Sequence, residues 1–182
     1  KLKTNQLLEG KPSVINQVIS LEPFLNTNCK LVIKREDLIH PYISGNKYRK
    51  LKYNLINAKK EDFNTLLTFG GAYSNHIAAV ASVGKEFGFN TIGVIRGEEL
   101  IDKIDFNPTL LFAKECGMKF LFISRKDYQL KTEKAFIDIL KSKFGHFYLI
   151  PEGGTNQLAI KGCSEILEKE DLNYDFICAY VG

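Results

Sequence analysis

From residue 65 onward, short apolar runs alternate with stretches of helical periodicity, and this alternation constrains the fold more than any other feature. The runs 65–69, 91–95, 119–123 and 147–150 read as strands, and the stretches 75–87, 108–116, 132–144 and 156–168 as helices. Strands separated by helices return as parallel neighbours, and the helices cover both faces of the sheet. The expected fold class is therefore α/β with open parallel sheets. The run 30–34 adds a first strand and 176–181 a last one, while residues 1–25, punctuated by Pro12 and Pro23, read as irregular. The four strands between 65 and 150 make one compact sheet, and the first and last belong to a second, larger layer. The expected division is a smaller α/β domain over 53–152, with 1–52 and 153–182 in a larger, cofactor-binding domain. A parallel strand is ordinarily followed by a covering helix, so a chain ending on Gly182 straight after one reads as the N-terminal part of a longer protein.

Composition narrows the partners. The 182 residues carry a net charge of only +4, with the lysines spread along the chain. No stripe of arginine with interleaved aromatics marks a nucleic-acid surface. No apolar run reaches the length of a membrane span, and residues 1–10 lack a signal-peptide core. The four cysteines (Cys29, Cys116, Cys163, Cys178) form no CxxC pair, and the three histidines (His40, His76, His146) are equally scattered. No metal-ligand spacing results, and reduced thiols packed in a cytoplasmic protein's interior are the expectation.

The candidate chemistry begins at Ser44-Gly45-Asn46-Lys47-Tyr48-Arg49-Lys50-Leu51. Gly45 frees the backbone and Asn46 serves as N-cap for a helix running to about Lys60. Lys47, Leu51 and Leu55 recur every four residues on one face, which brings Lys47 to the edge of the core. A lysine alone on such a face ordinarily snorkels to solvent. Desolvation and the positive charge of Arg49 and Lys50 would instead favour a neutral, nucleophilic amine. The preceding run Arg35-Glu36-Asp37 reads as a solvated face.

Two further strand ends open helices. Gly70-Gly71-Ala72-Tyr73-Ser74-Asn75-His76 supplies flexible backbone, a cap from Ser74 or Asn75, and helix amides suited to a carboxylate or phosphate. Pro151-Glu152-Gly153-Gly154-Thr155-Asn156 repeats the arrangement with a threonine cap. Taken separately, each is an ordinary capped turn. A nucleotide- or amino-acid-binding module without catalysis is the competing class, although Gly-x-Gly-x-x-Gly is absent and Lys47 would then have no role.

Taken in order, Lys-Arg-Glu-Asp (34–37), Ser-Gly-Asn-Lys-Tyr-Arg-Lys-Leu (44–51), Gly-Gly-Ala-Tyr-Ser-Asn-His (70–76) and Pro-Glu-Gly-Gly-Thr-Asn (151–156) closely resemble the 1-aminocyclopropane-1-carboxylate deaminase / D-cysteine desulfhydrase family of pyridoxal-phosphate enzymes. The resemblance covers nearly the whole chain and implies the tryptophan-synthase-β-like fold, fold type II. It implies that Lys47 is the Schiff-base lysine and proton carrier, and that Asn75 bonds the cofactor's 3-hydroxyl, with Asn46 beside it. Ser74 would sit against the substrate carboxylate and share in catalysis, while the amides around Asn75 and His76 bind that carboxylate. It further implies pyridoxal 5′-phosphate as cofactor, a small amino acid as substrate, a homodimer, and a cytoplasmic location.

Two departures affect the implied pocket: Tyr73 stands where the family often has Gln, and Ile77 and Ala78 replace polar or basic residues. The family's phosphate-binding loop, the partner of the pyridine nitrogen and a catalytic tyrosine would lie beyond Gly182, in a protein of about 300 residues. A serine/threonine dehydratase or a racemase of the same fold type is the nearer alternative, but those relatives usually carry a Ser-x-Lys-x-Arg lysine motif.

Overall fold

The computed structural model describes residue 10, residues 12–22 and residues 28–179. Its elements in chain order are β1 (Asn16–Ile19), β2 (Leu31–Lys34), α1 (Asn46–Lys60), β3 (Thr65–Gly70), α2 (Asn75–Phe87), β4 (Asn90–Arg96), α3 (Pro108–Glu115), β5 (Lys119–Ile123), α4 (Arg125–Tyr128), α5 (Lys134–Phe144), β6 (Tyr148–Ile150) and α6 (Gln157–Cys163), with short 3-10 turns between some of them.

Strands β3 to β6 form the expected sheet, in the order β5-β4-β3-β6 and all parallel. Alternation along the strands sends side chains to two cores. Leu66 and Ile95 join Leu51, Leu55, Val80 and Leu110 from α1, α2 and α3. Leu67, Phe69, Ile92 and Val94 join Tyr128 and Leu140 from α4 and α5. Both faces are therefore covered, which is why these strands are continuously apolar rather than alternating.

The chain order has a consequence for ligand binding. From β3 the chain moves outward through β4 and β5, then returns to place β6 on the other side of β3. The connections leaving β3 and β6 thus diverge between neighbouring strands, and such a switch point leaves a crevice beyond the strand ends. The two glycine turns, 70–76 and 151–156, flank that crevice because their strands are hydrogen-bonded neighbours.

Several sequence expectations need correction. Strand 31–34 is not part of a parallel sheet; it pairs antiparallel with β1, Asn16 opposite Lys34, inside the stretch expected to be irregular. Four residues of mixed polarity carry too little periodicity to mark β1, which depends on its partner for backbone hydrogen bonds. The last strand is absent over residues 176–179, where Phe176 is 87% exposed. Apolar content alone makes no strand without a neighbour to bond. Residues 180–182 and Pro23 lie outside the described residues. The helix expected over 132–144 is observed as α5, with the unexpected short helix α4 before it, and that over 156–168 ends at Cys163. The four cysteines are not packed in the interior: Cys29 and Cys178 are exposed, and Cys116 and Cys163 are only partly buried.

Candidate active site

A cavity of about 640 Å³ occupies the crevice. Its lining brings together the start of α1 (Ser44, Gly45, Asn46, Lys47), the start of α2 (Ser74, Asn75, His76) and the turn after β6 (Glu152, Gly153). All five residues singled out from sequence, Asn46, Lys47, Ser74, Asn75 and His76, are among them.

Helix α1 enters through Gly45, whose φ of +58° lies in the left-handed region that glycine tolerates and other residues seldom adopt. Asn46 is therefore not the N-cap: Gly45 holds that position with no side-chain cap, and Asn46 is the first helical residue, its side chain at the exposed rim. Leu51 and Leu55 are fully buried on the same face, so Lys47 is drawn to a half-buried position. Burial, seconded by the positive charge of Lys50, pushes the Lys47 ammonium below the ordinary lysine range.

Arg49 takes no part in that shift, contrary to the sequence expectation. It is 1% exposed and grips Glu36 in a two-point fork, with a second carboxylate, Glu165, 3.7 Å away, so its charge is neutralised. Glu36 accordingly is not part of a solvated face. Its main-chain oxygen also accepts the Gly45 N–H at 2.9 Å, which fixes the turn into α1. The charge run hid this residue because a carboxylate facing water and one facing a buried guanidinium look alike in sequence.

Helix α2 is capped by Ser74, whose oxygen accepts the Ile77 N–H at 3.4 Å; Asn75 is the first helical residue and is exposed. Helix geometry leaves the amides of Asn75 and His76 without intrahelical acceptors, so they suit an anion. Gly70 permits the tight approach: a Cβ there would strike the Ile77 side chain. The imidazole of His76 is buried and bonded through Nε2 to Thr68 Oγ1 at 2.8 Å. Because the Thr68 hydroxyl donates to the Ile150 carbonyl, its oxygen accepts from His76, and Nε2 carries the proton. Burial, with Lys47 and Lys50 nearby, lowers the His76 pKa to about 3. A Cβ on Gly154 would crowd the ring at 3.1 Å, and Gly154 also has φ +74°.

In the second turn the cap is Asn156, which accepts the Ala159 N–H at 2.9 Å, not Thr155. Thr155 instead accepts a hydrogen bond from Lys50 at 2.9 Å. Tyr73 is 76% exposed and is not among the residues lining the cavity, so it does not alter the pocket as its position in the motif suggested. Sequence reasoning missed Tyr42 and Phe112, which stack against each other in the cavity wall. No motif marks either one, and 70 residues of chain separate them.

An open parallel sheet with a half-buried lysine on one flank of its switch point and a capped helix N-terminus on the other defines an α/β chain of the tryptophan-synthase-β-like class, fold type II. Comparison with solved structures agrees: an ACC deaminase homologue superposes with a TM-score of 0.63 and 25% identity over 91% of this chain and 53% of its own. In sequence, the chain resembles the 1-aminocyclopropane-1-carboxylate deaminase / D-cysteine desulfhydrase family over more than four-fifths of its length. It is 32% identical over 162 residues to the mitochondrial bifunctional D-cysteine desulfhydrase/1-aminocyclopropane-1-carboxylate deaminase of Arabidopsis thaliana, covering 84% of this chain and 40% of that protein. It is 31% identical over 164 residues to the D-cysteine desulfhydrase of Salmonella paratyphi B, covering 87% and 48%. The chain spans about half the length of the curated relatives it matches. No protein-family model matches it.

Proposed function

We propose that this chain carries the lysine-bearing half of a pyridoxal-phosphate-dependent deaminase or carbon–sulfur lyase acting on a small amino acid. The observation that carries the reading is the shared cavity: Lys47, its ammonium destabilised, faces the anion-favouring start of α2. The donor set fits the cofactor. An amine whose charged form is disfavoured suits an aldehyde, and the cavity is within the usual size range of small-molecule sites.

Pyridoxal 5′-phosphate, when bound, supplies an electron sink for charge developing at the substrate α-carbon. Lys47 would hold the cofactor covalently and, once released by the substrate amine, take or return the α-carbon proton. Ser74 and the amides of Asn75 and His76 would bind the substrate carboxylate, which orients the α-carbon toward Lys47. Asn75, with Asn46 beside it, would bond the cofactor ring. The buried, neutral His76 keeps the α2 terminus attached to β3 and β6 without adding charge. In this reading 53–152 form the smaller domain, 1–52 and 153–182 belong to the larger one, and the full-length protein is a cytoplasmic homodimer. Support for the division comes from the four-stranded sheet, whose strands all lie between 65 and 150.

The test is the absorbance spectrum of the full-length protein before and after borohydride reduction. A band near ~410–420 nm that vanishes on reduction, with the label on Lys47, is the expected result. Lys47→Ala should abolish both the band and the release of ammonia, sulfide or keto acid from small D- and L-amino acids. A band and activity that survive Lys47→Ala would overturn the reading.

A further inference from the structure

The loop between β2 and α1 is tied to α2 and α3, the helices flanking the cavity on the side of the four-stranded sheet. At one point His40 anchors it. The His40 Nδ1 accepts the main-chain N–H groups of Tyr42 at 3.2 Å and Ile43 at 3.0 Å, so the proton is on Nε2, which donates to Glu86 of α2 at 3.0 Å. Glu86 is itself held by Ser82 at 3.0 Å, one turn earlier on the same helix. At the other point Tyr42 stacks on Phe112 of α3, ring centroids 4.7 Å apart and planes 27° from parallel. The stacked pair lines the cavity that holds Lys47 and Ser74, and Ala78, one turn along α2 from Ser74, extends the apolar surface. Among the polar lining groups, the Glu152 carboxylate is already occupied by the Tyr128 hydroxyl at 2.8 Å and by Lys131 at 3.4 Å.

We propose that Tyr42 and Phe112, positioned by His40, form the specificity wall of the site, selecting amino acids with an apolar side chain over isosteres that carry a hydroxyl or a charge there. The inference rests on the proposed function, in which Lys47 and the α2 terminus fix the amine and carboxylate of an amino acid. Two anchored groups leave only the side chain to meet the remaining lining, and the stacked rings are its largest apolar element. A polar group pressed against the ring faces would lose water and find no hydrogen-bond partner on them. The wall is built from two separate elements, so it exists only when the loop is seated.

The test is calorimetric binding of norvaline and homoserine, an isosteric pair differing in a terminal methyl or hydroxyl, to the full-length cofactor-loaded protein. The expected result is tighter binding of norvaline by about tenfold or more. Phe112→Ala should bring the ratio close to one, Tyr42→Ala should do the same from the loop side, and Tyr42→Phe, which preserves the stack, should leave it intact. Equal binding by the unmutated protein, or a ratio unmoved by both alanine variants, overturns the wall. Failure to bind either ligand while Lys47 still takes up the borohydride label also overturns it. Failure to bind together with no label on Lys47 overturns the proposed function, and this inference with it.

Discussion

The Arg49 guanidinium and the Glu36 carboxylate meet through two parallel hydrogen bonds, Nε to Oε2 at 2.9 Å and Nη2 to Oε1 at 2.7 Å. Arg49 lies two residues after Lys47, and Glu36 stands in the 3-10 turn after β2. The pair therefore fixes the turn of α1 that presents Lys47 against the segment that leads into it. Removing Glu36 would leave a buried guanidinium without its fork. Glu36→Ala should cost about 3–5 kcal/mol in denaturant unfolding. Arg49→Lys should lose part of the same stability, because a lysine cannot make the planar two-point contact.

Helix α6 crosses α1 at the same level. A Cβ on Gly162 would fall inside the van der Waals shell of the Arg49 carbonyl oxygen, a backbone atom that cannot swing aside. Gly162→Ala should destabilise the protein by roughly 3 kcal/mol or more, at the upper end of core overpacking. It should also displace the first turn of α1. Loss of cofactor absorbance in the full-length variant, beside a shifted unfolding midpoint, would report both effects.

Lys47 should react as a lysine with a lowered pKa. In competitive labelling with an amine-selective reagent across pH, its midpoint should fall below those of exposed lysines such as Lys134, whose Asp138 partner raises its pKa. Lys50→Gln removes the second cause of the shift and should move the Lys47 midpoint back upward, though not all the way, because burial remains. A midpoint indistinguishable from the surface lysines would count against a destabilised ammonium in the site.

His76 makes stability pH-dependent with a definite sign. Its native pKa is about 3, against about 6.5 for an unfolded histidine. Between those values the unfolded chain binds a proton that the native state refuses. Stability from this residue is therefore full above about pH 6.5 and falls as the pH drops toward 3, by up to ~1.4 kcal/mol per unit. His76→Gln retains a donor toward Thr68 but does not titrate, so it should flatten unfolding midpoints measured between pH 4 and 6.5.

Much of this architecture was legible in the sequence. Strand 119–123 and helix 75–87 follow from apolar runs and caps with the bounds the structure gives them. Lys47 was found because Leu51 and Leu55 share its face, a local relationship that helix geometry enforces. The Ser74 cap is legible because capping is also local. What failed was non-local. β1 needed β2 to exist as a strand, the thiols of Cys29 and Cys178 were placed by surroundings that neighbouring residues do not encode, and Glu36 was misread for want of its partner thirteen positions away.

The sequence by itself determined the α/β class, the lysine on its helix and the capped turn meant to face it, because periodicity, glycine freedom and capping act within a few residues. Only the tertiary structure decided that these turns meet at one crevice, that Arg49 is spent on Glu36 rather than on Lys47, and that Tyr42 and Phe112 close the wall. Those outcomes depend on which strands become neighbours and which charges lose their water, and both are settled when distant parts of the chain pack together.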